Sequence, residues 1–122
     1  MLAGAALALL IAPASALDRV SFELRTVADL VSLCDPPQSD QDRWYGIVYC
    51  RGYLRGLGHF NRAFFRPGSL GACIPNPPPS VAQVSNDFSA WARGNLEEMQ
   101  NPDIVDSIVR WAAATYPCPQ RR

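Results

Sequence analysis

The chain contains no lysine, and every one of its basic residues is arginine. Arginine suits bidentate contacts to carboxylates, although a GC-rich genome is the simpler source of such a bias. Basic and acidic residues number eleven each, so the formal charge is zero. That balance offers no general attraction to nucleic acid or to an anionic membrane. There is one histidine, His59, with no ligand at close spacing, and no two of the four cysteines form a C-x-x-C pair. A zinc site therefore has no pattern to rest on, and no cofactor motif is present. The single histidine, on an arginine-rich helix face, also leaves a nucleophilic triad without its base. Glu97 and Glu98 are adjacent instead of facing one another across a cleft, which is a poor arrangement for acid–base work. An enzyme is thus left without a constellation to carry it. No segment alternates like a strand for long, no repeat is present, and no run beyond the leader approaches the ~20 apolar residues of a membrane span.

What is present begins with MLAGAALALLIAPASA, apolar, uncharged and closed by Ala14-Ser15-Ala16. This reads as an export signal over residues 1–16 with cleavage near Ala16–Leu17, followed by a single helical domain over 17–122. The usual basic n-region is missing, which leaves open a start codon upstream of Met1. Export places the mature protein in the periplasm, without stable membrane insertion. In that compartment an even set of cysteines, Cys34, Cys50, Cys73 and Cys118, reads as two disulfides.

Four helices are expected. Thr26 and Asp29 form a capping-box pattern ahead of the first, and Asp35-Pro36-Pro37 ends it. Ser39 or Asp40 can cap a second helix running to about Phe65. Gly46, Cys50, Tyr53, Leu57, Phe60 and Phe64 fall within roughly 40° of one line on it, the expected core stripe. Trp44, Val48, Arg51, Arg55, Arg62 and Arg66 occupy the opposite side, with His59 beside them. Gly52 and Gly56, one turn apart, read as a smooth strip for close packing inside the monomer, or as a homodimer seam. Ser80 and Gln83 start a third helix carrying Val81, Val84, Phe88 and Trp91, stopped by Gly94-Asn95. LEEMQ reads as a loop or turn. Asn101-Pro102 supplies a cap and first-turn proline for the last helix, with Ile104, Ile108, Trp111 and Thr115 on one face. The fold class is all-α, a compact bundle of four helices stapled by two disulfides. In an up-down bundle Cys34 lies at the turn into the second helix, while Cys73 and Cys118 share the other end. Of the three connectivities, Cys34–Cys50 with Cys73–Cys118 is therefore favoured.

Two surface features are candidates for partner binding. Trp44 beside Arg51 and Arg55 has the composition of an interface hot spot, against the plainer reading of a solvated helix face. Glu97 and Glu98 make an acidic tip suited to a basic partner.

The order TVADLVSLC, CRGYLRG, CIPNPPPSVAQV and a terminal YPC resembles the Rap/Tai family of type VI secretion immunity proteins over about Thr26 to Cys118. The resemblance implies a non-catalytic, disulfide-stapled periplasmic protein that binds a peptidoglycan amidase effector, occludes its cleft and protects the cell. It also implies scaffold roles for Gly52, Tyr53, Gly56, Pro75 and Pro117 alongside the cysteines. It carries over no effector-contacting residue. The stretch after Gly56 and the acidic loop GNLEEMQ depart from the family pattern. The competing reading is a small periplasmic stress chaperone of the acid-activated HdeA kind, or an orphan binding module without a toxin partner.

Overall fold

A computed structural model describes Leu17 and residues 21–120. The expected export signal, residues 1–16, lies outside the described residues. A 3-10 turn at Ser21–Glu23 leads into α1 (Val27–Cys34), α2 (Arg43–Phe64), α3 (Val81–Arg93), the short α4 (Leu96–Met99) and α5 (Ile104–Thr115). No strand forms among the described residues; a lone bridge joins Ala72 and Pro117.

Side-chain hydrogen bonds set the starts of α1, α3 and α5. The Asp29 carboxylate of α1 accepts the Arg25 and Thr26 N–H groups at 2.8 and 3.3 Å, and the Ser80 hydroxyl accepts the Gln83 N–H at 3.1 Å. These are the expected capping patterns, each satisfying amides the helix cannot pair internally. Two other starts differ from expectation. The residue at the N-terminal boundary of α2 is Asp42, whose side chain makes no capping hydrogen bond, because Asp40 closes a turn one step earlier by accepting the Asp42 N–H at 2.8 Å. The cap of α5 is Asp103, not Asn101, and accepts the Asp106 N–H at 3.0 Å. Asn101 instead accepts the Asp103 N–H at 3.0 Å and so shapes the approach. LEEM closes into the single turn of α4.

The core gathers Val27, Leu30, Val31, Leu33 and Cys34 of α1 with Cys50 and Leu54 of α2, Phe88 and Ala92 of α3, and Ile104 and Trp111 of α5. Phe88 is fully buried and meets Trp111 edge-on at 5.8 Å, and Trp111 meets Tyr116 edge-on at 5.9 Å. Ser85, Ser89 and Ala92 bring small side chains to the buried side of α3, so the helices can approach closely. The Ser85 hydroxyl lies 3.3 Å from the Cys50 sulfur.

α2 only partly follows the expected stripe. Gly46 and Cys50 are buried as expected, joined by Ile47 and Leu54. Tyr53 and Leu57 are half-buried, whereas Phe60 and Phe64 are 54 % and 71 % exposed. The reason is length. A helix of 22 residues spans about 33 Å, while the eight residues of α1 and thirteen of α3 cover only its first half. The distal turns project, and Phe60 packs on Phe64 and Phe65 at 4.6 and 6.3 Å.

Close packing of Gly52 and Gly56 inside the monomer is likewise corrected. Both are exposed, and a Cβ at either would meet nothing within 4 Å. Their direction points away from the core. The glycine that does permit close approach is Gly46, where a Cβ would come within 3.1 Å of the Leu33 carbonyl oxygen and 2.7 Å of Leu17 Cδ1.

Both disulfides pair as expected, Cys34–Cys50 and Cys73–Cys118. Loop lengths of 16 and 45 residues correspond to about 3 and about 4 kcal/mol of denatured-state entropy. The second bridge ties the connector after α2 to the end of α5, reinforced by the Cys73 N–H donating to the Tyr116 carbonyl at 2.8 Å. Gly68, at φ +80°, passes over this bridge, and a Cβ there would lie 3.2 and 3.3 Å from the two sulfurs.

The glycines of α2 should therefore respond oppositely to alanine. Gly46→Ala should destabilise, because overpacking of about 1–3 kcal/mol outweighs the gain in helix propensity. Gly52→Ala and Gly56→Ala should each stabilise by up to about 1 kcal/mol. Urea unfolding measures all three, and a destabilising Gly52→Ala would contradict the open placement.

Candidate interaction surface

Residues 43 to 66 contain five arginines and no acidic residue. In a chain of zero net charge, this concentrates positive charge on one element. The structure sharpens the asymmetry. Away from α2 and its extension, each described arginine is ion-paired: Arg25 with Glu23, Arg93 with Asp35, and Arg110 with Glu98 and Asp106. Among the described residues, Arg43, Arg51, Arg55, Arg62 and Arg66 have no carboxylate within ion-pair distance. The Nε atoms of Arg43 and Arg51 are shielded from solvent and lack an acceptor.

Trp44, Val48, Arg51, Gly52 and Arg55 of α2 line an open recess of about 310 Å³ with Val81 at the start of α3. Trp44 is 63 % exposed and Val48 52 %. The missing side chain at Gly52 keeps one edge of the recess low. Helical spacing brings the three expected residues Trp44, Arg51 and Arg55 together here. The contribution of Val81 is not visible in the sequence, since it needs the docking of α3 on α2. A larger recess, about 480 Å³, lies by Asp35, Pro36, Pro37 and Arg93. Its arginine is already neutralised by Asp35, which makes it the weaker candidate for a charged partner.

The acidic pair divides. Glu97 is exposed, but Glu98 turns inward onto α5. Its carboxylate accepts the Ser107 hydroxyl at 2.6 Å and Arg110 Nη2 and Nε at 2.7 and 3.1 Å. Arg110, with Ser107 and against partial burial, holds the Glu98 carboxyl below the usual range. This is a structural pin joining α4 to α5. Only Glu97 remains as a solvent-facing acid of the tip. Tyr53 is half-buried, and burial first, then Tyr49 and Asp103, pushes its hydroxyl up. Pro75 and Pro117 lie in the connector and beyond α5, flanking the second disulfide. Among the described residues no group of three or more His, Cys, Asp or Glu side chains is placed to hold a metal ion, and no helix is long and apolar enough to cross a membrane.

A carboxyl lowered by folding stabilises the protein above its unfolded pKa, and that contribution disappears as pH falls through the folded value. Glu98 should therefore support stability at neutral pH and cease to do so below the ordinary carboxylate range. In urea unfolding between pH 7 and pH 2, Glu98→Gln should be less stable than the parent at neutral pH and converge with it in acid. Parallel curves across the range would contradict the pin.

The family model described as Rap1a immunity proteins matches residues 26–118. No curated protein and no solved structure matches the chain. The matched span opens at Thr26, at the start of α1, and closes at Cys118 of the second disulfide, so it takes in α1 to α5 and both bridges. On that match, the chain belongs to the Rap1a immunity proteins.

Proposed function

We propose that this protein is an exported, non-enzymatic immunity protein that acts in the periplasm. It binds a peptidoglycan amidase effector of a type VI secretion system and blocks its active-site groove, so that the cell survives the toxin. Family membership supports an immunity role and a partner effector. The observation that carries the choice of face is the segregation of charge: on a segment with five arginines and no acid, Arg51 and Arg55, without carboxylate partners among the described residues, stand beside an exposed Trp44 and Val48.

Such a surface suits a partner that brings carboxylates around an apolar group. Arginine offers paired donors in a fixed plane, and a tryptophan supplies a large anchoring area at low entropic cost. Like charge works against joining two copies of this chain through the same face, since each would bring the same guanidiniums. The acidic tip is the lesser candidate, because Glu98 is already engaged by Arg110 and Ser107.

The test is inhibition of peptidoglycan hydrolysis by purified type VI secretion amidases. One of them should be inhibited with a Kd of about 1–10 nM or lower, in the range of specific inhibitor pairs. The double change Arg51→Glu and Arg55→Glu should weaken inhibition about a hundredfold or more, while Glu97→Arg should change it less than about threefold. Undiminished hydrolysis by every amidase would sink the immunity reading. Equal inhibition by the charge-reversed variant would move the interface off α2.

A further inference from the structure

The residue that follows Ala14-Ser15-Ala16 is a core residue. Leu17 is only 6 % exposed and belongs to the same cluster as Leu30, Leu33, Cys34 and Cys50. Its side chain lies over Gly46, the one position of α2 where a Cβ would collide with it. Its backbone N–H donates to Asp40 Oδ2 at 3.1 Å. The other oxygen of that carboxylate accepts the Asp42 N–H at 2.8 Å, which fixes Asp40 at the entrance to α2. A buried apolar side chain and an aspartate aimed at its backbone nitrogen are the two parts of a site for a chain terminus.

We propose that Asp40 and the cleft over Gly46 form a receptor for the N-terminus created by export, with Leu17 as its ligand. Signal peptidase hydrolyses the Ala16–Leu17 bond with one water, leaving a carboxylate on Ala16 and an ammonium on Leu17. The nitrogen that donates one amide hydrogen in the unprocessed chain then carries a positive charge and three hydrogens. Facing Asp40, it forms a charge-assisted pair, stronger than the amide contact it replaces. Processing thus tightens the α1–α2 corner, so the chain reaches its full stability only after leaving the cytoplasm. This rests on export of the chain and is independent of which effector, if any, it binds.

The absence of lysine makes the idea directly testable, because the α-ammonium of the processed chain is its sole primary amine. The protein is recovered from the periplasm, its N-terminus is sequenced, and its acetylation by an N-hydroxysuccinimide ester is timed. The sequence should begin at Leu17, and acetylation should be about tenfold or more slower in the native protein than in denaturant, as expected of a paired, half-buried amine. The acetylated protein should melt roughly 4–8 °C lower than the free form. In Asp40→Asn, whose amide oxygen can still accept the Asp42 N–H, acetylation should no longer change the melting temperature. A terminus other than Leu17, native acetylation as fast as in denaturant, or an unchanged melting temperature on acetylation would each overturn the proposal. The measurements on the parent protein decide it even where the Asp40 variant fails to fold.

Discussion

The crossing of α1 on α2 is the constraint from which the rest of the fold follows. Gly46 lets the Leu33 carbonyl come to within 3.1 Å of where a side chain would start, and Cys34 is bonded to Cys50 one turn further along. Backbone contact and covalent bond together fix both the separation and the register of the two helices. Leu17 closes the corner from the outside and Asp40 holds it. Because α2 is gripped along its first half only, α3 packs against that half and the distal turns are left in solvent. The second disulfide then restrains the connector beyond those turns by tying it to the end of α5.

The same grip explains how one helix serves two purposes. Its inner side supplies Ile47, Cys50 and Leu54 to the core, and its outer side displays Trp44, Val48 and the arginines. With no acid anywhere from residue 43 to 66, nothing on the helix neutralises the arginines. Many of the described acids elsewhere are committed to structure. Asp29, Asp40 and Asp103 serve helix starts, while Glu23, Asp35, Glu98 and Asp106 take the other described arginines. A neutral chain thus acquires a cationic, aromatic helix as its most distinctive surface.

Much of this is legible in the sequence. Local hydrogen-bond chemistry sets the starts of α1 and α3, so Thr26/Asp29 and Ser80/Gln83 announce them. Proline and glycine set the ends. The disulfide pairing follows once the helices are ordered up and down. What is not legible is how far the core reaches along a helix. A wheel projection gives the direction of Phe60 and Phe64 but not that α1 and α3 stop short of them. Gly52 and Gly56 look like packing glycines because their spacing alone does not tell which flank of α2 meets a neighbour. Glu98 could not be told from Glu97, since the choice depends on where α5 places Ser107 and Arg110. The absence of acids from 43 to 66 is the signal that could have singled out the whole outer face of α2.

Hydroxyl-radical footprinting of the protein, alone and bound to an amidase that it inhibits, reads the role of that face residue by residue. Trp44 and Leu96 are both well exposed, at 63 % and 76 %, and lie on α2 and α4 respectively, while the buried Trp111 serves as an internal control. Binding through α2 predicts that Trp44 loses its reactivity in the complex while Leu96 keeps its own. Protection of Leu96 with Trp44 unchanged would place the interface on the acidic tip and contradict a binding role for the cationic face of α2.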